Sequence, residues 1–424
     1  MSVLLSLLAL TGARAEEFVV DGIKYSTDSP SEGEVTITGY ENIAGDIVIP
    51  STVTYEGMEY AVTDIDSWSF SSCPELTSVE ILAPLPYILS NFTDCPKLQA
   101  IHISEENPYL SSVDGVVYNK EQTVLYCIPG GLKEVTVSPS VASISNWPRT
   151  GCNNLQAIHV SEENPHLSST DGVVYDKEQT TLLYVPEGLK TVSLPSSVTT
   201  IDGLAFSGCS ILESIDVSED NATFSSIDGM LCSKDQTELV CVPEGLKNVT
   251  VPASVVKLPD FYTEKNLTSI EILGPITEIE PQMFSECTNL TSVKLPASVE
   301  SIGPRAFQNC VNLTSIECES PSVEIGESAF SGCSSLTSLD FLPPVSSMGK
   351  AAFYKCTGLT TIQFKPSSTF IEIAPDAFGN CINLISIEIP ASVQSINFNP
   401  AVDGGESYAY GGSFLAVRIC SPLP

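Results

Sequence analysis

The chain repeats one short apolar motif at near-constant spacing. Its plainest copy is Leu290-Thr-Ser-Val-Lys-Leu295, which reads L-x-x-V-x-L. The same spacing stands at Leu313, Leu336, Leu359 and Leu384, with steps of 23, 23, 23 and 25 residues. Self-similarity of this period is the signature of a solenoid. The alternation within each copy makes a short strand with one buried face. A single such strand cannot bury that face alone, whereas stacked copies cover one another.

The motif leucines stand at 76, 98, 132, 155, 189, 212, 246, 267, 290, 313, 336, 359 and 384, which makes thirteen rungs. At ~4.8 Å per coil they would span about 60 Å. In the middle of the chain the step alternates between 34 and 23, a composite unit of 57 residues. Asp114-Gly-Val-Val-Tyr118, Asp171-Gly-Val-Val-Tyr175 and Asp228-Gly-Met-Leu-Cys232 mark three long coils one composite unit apart. In each, a polar tetrad such as Asn119-Lys-Glu-Gln122 separates two apolar runs, which predicts a β-hairpin pushed out of the coil. Such inserts serve either as binding elements or as spacers. The expected organisation is a signal peptide over 1–15, a β-rich N-terminal cap over 16–61, a repeat array over 62–396 with a parallel β-sheet on one face, and an irregular tail over 397–424. Val3 to Leu10 is apolar, and Ala13-Arg14-Ala15 fits the small-x-small cleavage rule. Nothing later in the chain is long and apolar enough to span a bilayer as a helix.

Most short coils carry Ala-Phe-x-x-Cys ahead of the leucine, as at Ala306-Phe307-x-x-Cys310, Ala329-Phe330-x-x-Cys333 and Ala352-Phe353-x-x-Cys356. The full pattern is Ile-Gly-x-x-Ala-Phe-x-x-Cys-x-x-Leu-x-Ser-Ile-x-Ile-Pro-x-Ser-Val. It resembles that of BspA-like leucine-rich-repeat proteins, and the resemblance covers residues 62–396. The Asp-Gly-Val-Val-Tyr inserts and the leader ending Ile47-Val-Ile49-Pro50 look like features of the same family. The resemblance implies a secreted or surface-displayed protein that attaches to host proteins, cells or other microbes, without catalysis or cofactor. That family has no fixed ligand residues, so none is carried over. Residues 397–424 show no recognisable sorting or anchoring domain, which leaves the means of surface retention open.

The charge balance narrows the partners. With 52 acidic and 18 basic residues the net charge is −34. A nucleic-acid backbone or an anionic membrane surface would be repelled. The chain has no H-E-x-x-H, G-x-S-x-G or Walker loop, so a hydrolytic enzyme is the disfavoured reading. His102 and His159 share one strand position with Thr136 on the rung between. That places them roughly 9–10 Å apart, too far for one metal at ~2 Å per bond. Six N-x-[ST] sequons stand at Asn91, Asn221, Asn248, Asn266, Asn289 and Asn312.

Nine of the 14 cysteines lie three residues before a rung leucine, where ladder neighbours point the same way and a disulfide has no facing partner. They are read as buried thiols. Cys232 and Cys241 flank the turn of the third hairpin and are the one candidate disulfide.

The remaining feature is a column of outward side chains between the last two apolar residues of each strand. It runs Glu80, His102, Thr136, His159, Ser193, Asp216, Thr250, Glu271, Lys294, Glu317, Asp340, Gln363, Glu388. From Asp216 onward it is mainly acidic. That half is the expected contact face for an extracellular protein or glycan, with like charges relieved by a basic patch or a divalent cation. The alternative is a spacer or matrix component with a merely solvated face.

Overall fold

A computed structural model describes residues 16–28, 31–88, 90–145, 151–261, 265–339, 342–365, 372–389, 392–396 and 416–419, with backbone alone at 389, 395–396 and 416–419. The expected signal segment, Asp340 and most of the 397–424 tail lie outside the described residues. The fold is a leucine-rich-repeat β-solenoid with no helix among the described residues. Two compact units are present. One takes in residues up to Leu189 together with Ser197–Cys209, and the other Lys190–Ser196 and residues from Ser210 on.

In the first unit the leader forms a five-stranded sheet in the order Glu17–Val20, Ile23–Ser26, Glu34–Tyr40, Met58–Ile65, Thr52–Tyr55. Phe18 stacks on Tyr55 with ring centroids 4.1 Å apart, which ties the two edge strands together. The leader strand Gly45–Ile49 is not part of that sheet. It pairs in parallel with Leu76–Ile81, Ile47 opposite Val79 and Val48 opposite Glu80. The parallel column therefore takes its first strand from inside the segment assigned above to the cap.

The short coils of the second unit have the simplest geometry. Strands Asn248–Val251, Ser269–Ile272, Ser292–Leu295 and Ser315–Cys318 form one parallel sheet in strict register. A second parallel sheet joins Glu278–Ile279, Ser301–Ile302, Val323–Ile325 and Val345–Met348. Between the sheets run two ladders. Phe261, Phe284, Phe307, Phe330, Phe353 and Phe378 stack with centroids 5.0, 5.2, 5.3, 5.1 and 5.6 Å apart. Beside them Cys287, Cys310, Cys333, Cys356 and Cys381 are buried. Each of these thiols donates to the carbonyl of a Phe in the coil before, at 3.1, 3.0, 3.0, 3.0 and 3.2 Å. Cysteine fits because it is small, apolar and still a weak donor. Leu336 and Leu339 are buried like their counterparts, yet no strand forms over 336–339. Further on, Thr361–Gln363, Ser386–Ile389 and Ala416–Ile419 form a parallel sheet, so the tail read as irregular supplies a strand.

The long coils depart from expectation in two ways. First, their inserts are packed into the core and do not project. Leu110–Val113, Val116–Asn119 and Val124–Cys127 form an antiparallel meander, and Val116, Val117 and Tyr118 are all buried. The same holds for Val173, Val174 and Tyr175, and for Met230, Leu231 and Cys232. Second, each insert interrupts the parallel sheet. Asp114 and Gly115 both have positive φ (49° and 79°), forming a tight turn of the I′ kind. That turn lies against strand Ala100–Ile103, where the Gly115 carbonyl accepts from Ile101 N–H at 2.9 Å. Ser112 Oγ accepts from Ile103 N–H at 2.9 Å. Gly172 with Ile158, and Gly229 with Ile215, repeat the contact. The turn satisfies N–H groups that the next rung would otherwise have taken. A Cβ on Gly115 would sit 2.7 Å from Ala100 Cα, so glycine faces a small residue here. The expected single sheet is thus divided. The first unit holds parallel sheets of three strands (Gly45–Ile49, Leu76–Ile81, Ala100–Ile103) and two (Glu134–Thr136, Ala157–His159). The ladder breaks between the strands of His102 and Thr136, so the spacing inferred for His102 and His159 does not follow.

Candidate recognition surface

The outward column lies where the pleat places it. Among its described members, Glu271 and Glu388 are half-buried, and the others are exposed. In the first unit the register runs Val48, Glu80, His102 and, separately, Thr136 and His159. In the second it runs Ser193–Asp216, then Thr250–Glu271–Lys294–Glu317, then Gln363–Glu388 with the backbone of Arg418 next. Asp340 lies outside the described residues.

The charges alternate along this column. Lys294 Nζ lies 2.7 Å from Glu271 Oε1, and Glu317 follows in register on its other side. The hydrogen bond to Glu271 raises the Lys294 pKa, and Glu317 and Glu319 add to it through space. Gln363 donates to Glu388 Oε2 at 2.9 Å. No two carboxylates stand directly opposite each other in the column among the described residues, so the repulsion expected to call for a cation is largely relieved within the face. No group of three or more His, Cys, Asp or Glu is placed to hold a metal among the described residues. In the first unit, His159 Nε2 lies 3.4 Å from Glu134 Oε2 at the surface. Beside the variable column stands a uniform one, Ser269, Ser292 and Ser315, two positions earlier on the same face.

The candidate disulfide has no facing geometry. Cys241 stands opposite Leu231 and Cys232 opposite Leu239, with a register shift between. The two cysteines are therefore not cross-strand partners, and Cys232 is buried while Cys241 is half-buried. Burial pushes the Cys127 and Cys381 thiols up to about 12, and raises those of Cys310, Cys333 and Cys356 as well. Thiols in the unfolded chain ionise near pH ~8.5, so unfolding above that pH releases protons the folded chain retains. Stability is then full below about pH 8.5 and falls as the pH climbs toward about 12. Urea midpoints should be clearly lower at about pH 10.5 than at about pH 8; equal midpoints would mean the thiols titrate normally in the folded chain.

Three sets of residues escaped the sequence reading, although each recurs at the 57-residue step. Asn107, Asn164 and Asn221 are buried, each accepting through Oδ1 from the N–H groups two and three residues on. Their Nδ2 atoms donate to carbonyls of an earlier coil: Leu85 at 3.1 Å, Val141 at 2.9 Å and Pro195 at 3.0 Å. Lys120, Lys177 and Lys234 reach the carbonyls of Glu105, Glu162 and Glu219 at 2.8, 2.7 and 3.0 Å. Ser111, Ser168 and Ser225 bond across each meander to the carbonyls of Asn119, Asp176 and Ser233. These bonds fasten the inserts at several points. Of the six sequons, Asn91 and Asn221 are buried.

Stacked coils, most with a leucine-anchored parallel strand and the short ones with a Phe-Cys return, define a leucine-rich-repeat protein of the solenoid class. A profile of the BspA type leucine rich repeat region matches six copies, at residues 51–120, 184–253, 257–372 and 360–400. The chain belongs to that family. Among solved structures it is similar to a leucine rich cell surface protein from Faecalibacterium prausnitzii (22% identical, 96% of each chain covered, TM-score 0.34). It is also similar to a leucine-rich repeat protein from Bacteroides ovatus (22% identical, 95% of this chain and 100% of that one, TM-score 0.39). A third is the pneumococcal vaccine antigen PcpA (16% identical, 96% and 94% covered, TM-score 0.38). No curated protein matches the chain significantly. No helix among the described residues is long and apolar enough to cross a membrane.

Proposed function

We propose that this chain is a secreted or surface-displayed, non-catalytic scaffold that attaches to an extracellular protein or glycan through the outward column of its parallel strands. One observation carries the reading. Over Glu271, Lys294 and Glu317 the charge of the side chain alternates from coil to coil, beside a column of Ser269, Ser292 and Ser315 that does not change. A spacer needs only the constant part. A rigid backbone register bearing rung-specific charges is pre-organised for a partner of complementary pattern. The inserts, fastened at several points and packed inward, are less suited to act as reaching arms. The test is a screen of the purified chain against an array of extracellular proteins and glycans. At least one partner should bind, with association slowing as salt rises. Binding to none of them would favour the spacer reading.

A further inference from the structure

We infer that the four-stranded parallel sheet of the second unit docks face to face on the same sheet of a second copy of this chain, as a weak two-fold dimer. The inference rests on the outward column being a contact face, and it commits that face to one occupant. The sheet is Asn248–Val251, Ser269–Ile272, Ser292–Leu295 and Ser315–Cys318, in one register throughout. Its central outward column is Thr250, Glu271, Lys294 and Glu317. The serines at 269, 292 and 315 flank that column on one side, and Leu273 and Pro296 on the other. None of these side chains is buried, and Leu273 is 49% exposed.

Self-complementarity selects the occupant. Take a two-fold axis that lies between the two faces, runs parallel to the strands and passes midway between the strands of Glu271 and Lys294. Each column of one copy then meets the same column of the other with its rungs in reverse order. Glu271 faces Lys294 of the second copy, and Lys294 faces Glu271 of the second copy, so four charges form a square of alternating sign. Thr250 faces Glu317 of the second copy, a hydroxyl donor against a carboxylate. On one flank Ser269 faces Ser292, and on the other the exposed Leu273 faces Pro296. No like charges meet across these pairs, as a specific contact requires. Moving the axis onto the Lys294 strand would set Lys294 on itself and Glu271 on Glu317. An axis along the stacking direction would set every charge on itself.

The face is also shaped for another sheet. Sheets stacked face to face lie about 10 Å apart, a gap that a lysine and a glutamate span between them and that a column of serines leaves clear. The Lys294 ammonium is already held 2.7 Å from Glu271 Oε1 within each copy, so the central charges are placed before contact. The patch measures only about 19 Å by 16 Å, less than the ~800 Å² per partner of a stable complex. The dimer is therefore reversible and forms at high concentration.

The test is sedimentation equilibrium of the intact chain between about 10 and 300 μM. Salt is kept near 0.15 M, where the repulsion between two chains of net charge −34 is screened beyond about 8 Å. The dimer fraction should rise across this range. Glu271→Lys sets two lysines against two, and Lys294→Glu sets two glutamates against two. Each variant alone should dimerise at least about tenfold more weakly than the parent. An equimolar mixture of the two restores every Glu–Lys pair and should recover the parent's dimer fraction, which also shows that both variants are folded. A parent that stays monomeric throughout, variants that dimerise as the parent does, or a mixture that recovers nothing would overturn the dimer. A monomeric parent that still binds an array partner through Lys294 would overturn the dimer alone and leave the column as the contact face for that partner.

Discussion

Replacing Phe330 by alanine is expected to cost about 3–5 kcal/mol of unfolding free energy. The ring is fully buried and stacks on Phe307 at 5.3 Å and on Phe353 at 5.1 Å, nearly parallel to both. Its removal forfeits two ring contacts and leaves a hole that coils fixed in backbone register have little room to close. Phe330→Leu should recover more than half of that loss by filling part of the volume. Urea unfolding followed by far-UV circular dichroism measures both variants. A loss below about 1 kcal/mol for the alanine variant would mean the ladder is not the close-packed core described here.

The second large effect is expected at a polar residue. Asn164 is fully buried, with Oδ1 accepting from His166 and Leu167 N–H groups at 2.8 Å each and Nδ2 donating to the Val141 carbonyl at 2.9 Å. Asn164→Ala strands the buried Leu167 N–H and the Val141 carbonyl, each worth ~1–3 kcal/mol, so a loss of about 2–4 kcal/mol is expected. The adjacent exposed Glu163→Gln should change stability by no more than about 0.5 kcal/mol. Near-equal urea midpoints for the two variants would show that the asparagine does not fasten the insert.

The parts of this fold that were legible follow from local alternation. Val293 and Leu295 are buried and Lys294 exposed because a strand has period two, and the spacing of 23 residues stacks such strands. The Phe and Cys positions were legible because they recur in step with the leucines. What was missed depends on contacts distant in sequence. Nothing local in Ile47-Val48-Ile49 says that it pairs with Leu76–Ile81 and not with the leader sheet. The break in the parallel sheet had a trace, since Gly115, Gly172 and Gly229 lie opposite the small residues Ala100, Ala157 and Ser214. Its meaning emerges only when the turn is seen against the strand. Cys232 and Cys241 failed as a pair because a shift between Leu231 and Cys232 changes which residues face. The described members of the acidic column point away from the core, as period two requires. Summing its charges hid the fact that Lys294 neighbours Glu271 and Glu317 in register.

The alternating triplet is also where the binding claim is most exposed to test. Surface plasmon resonance should compare the intact chain with Lys294→Glu and with Glu317→Lys, against the partner found on the array, at low and high salt. Both substitutions lie on an exposed face and should leave the urea midpoint nearly unchanged. If the column is the contact surface, each reversal should weaken binding by roughly tenfold or more, and the salt dependence of association should change with opposite sign in the two variants. Unchanged affinity and salt dependence in both would place the contact surface elsewhere on the chain.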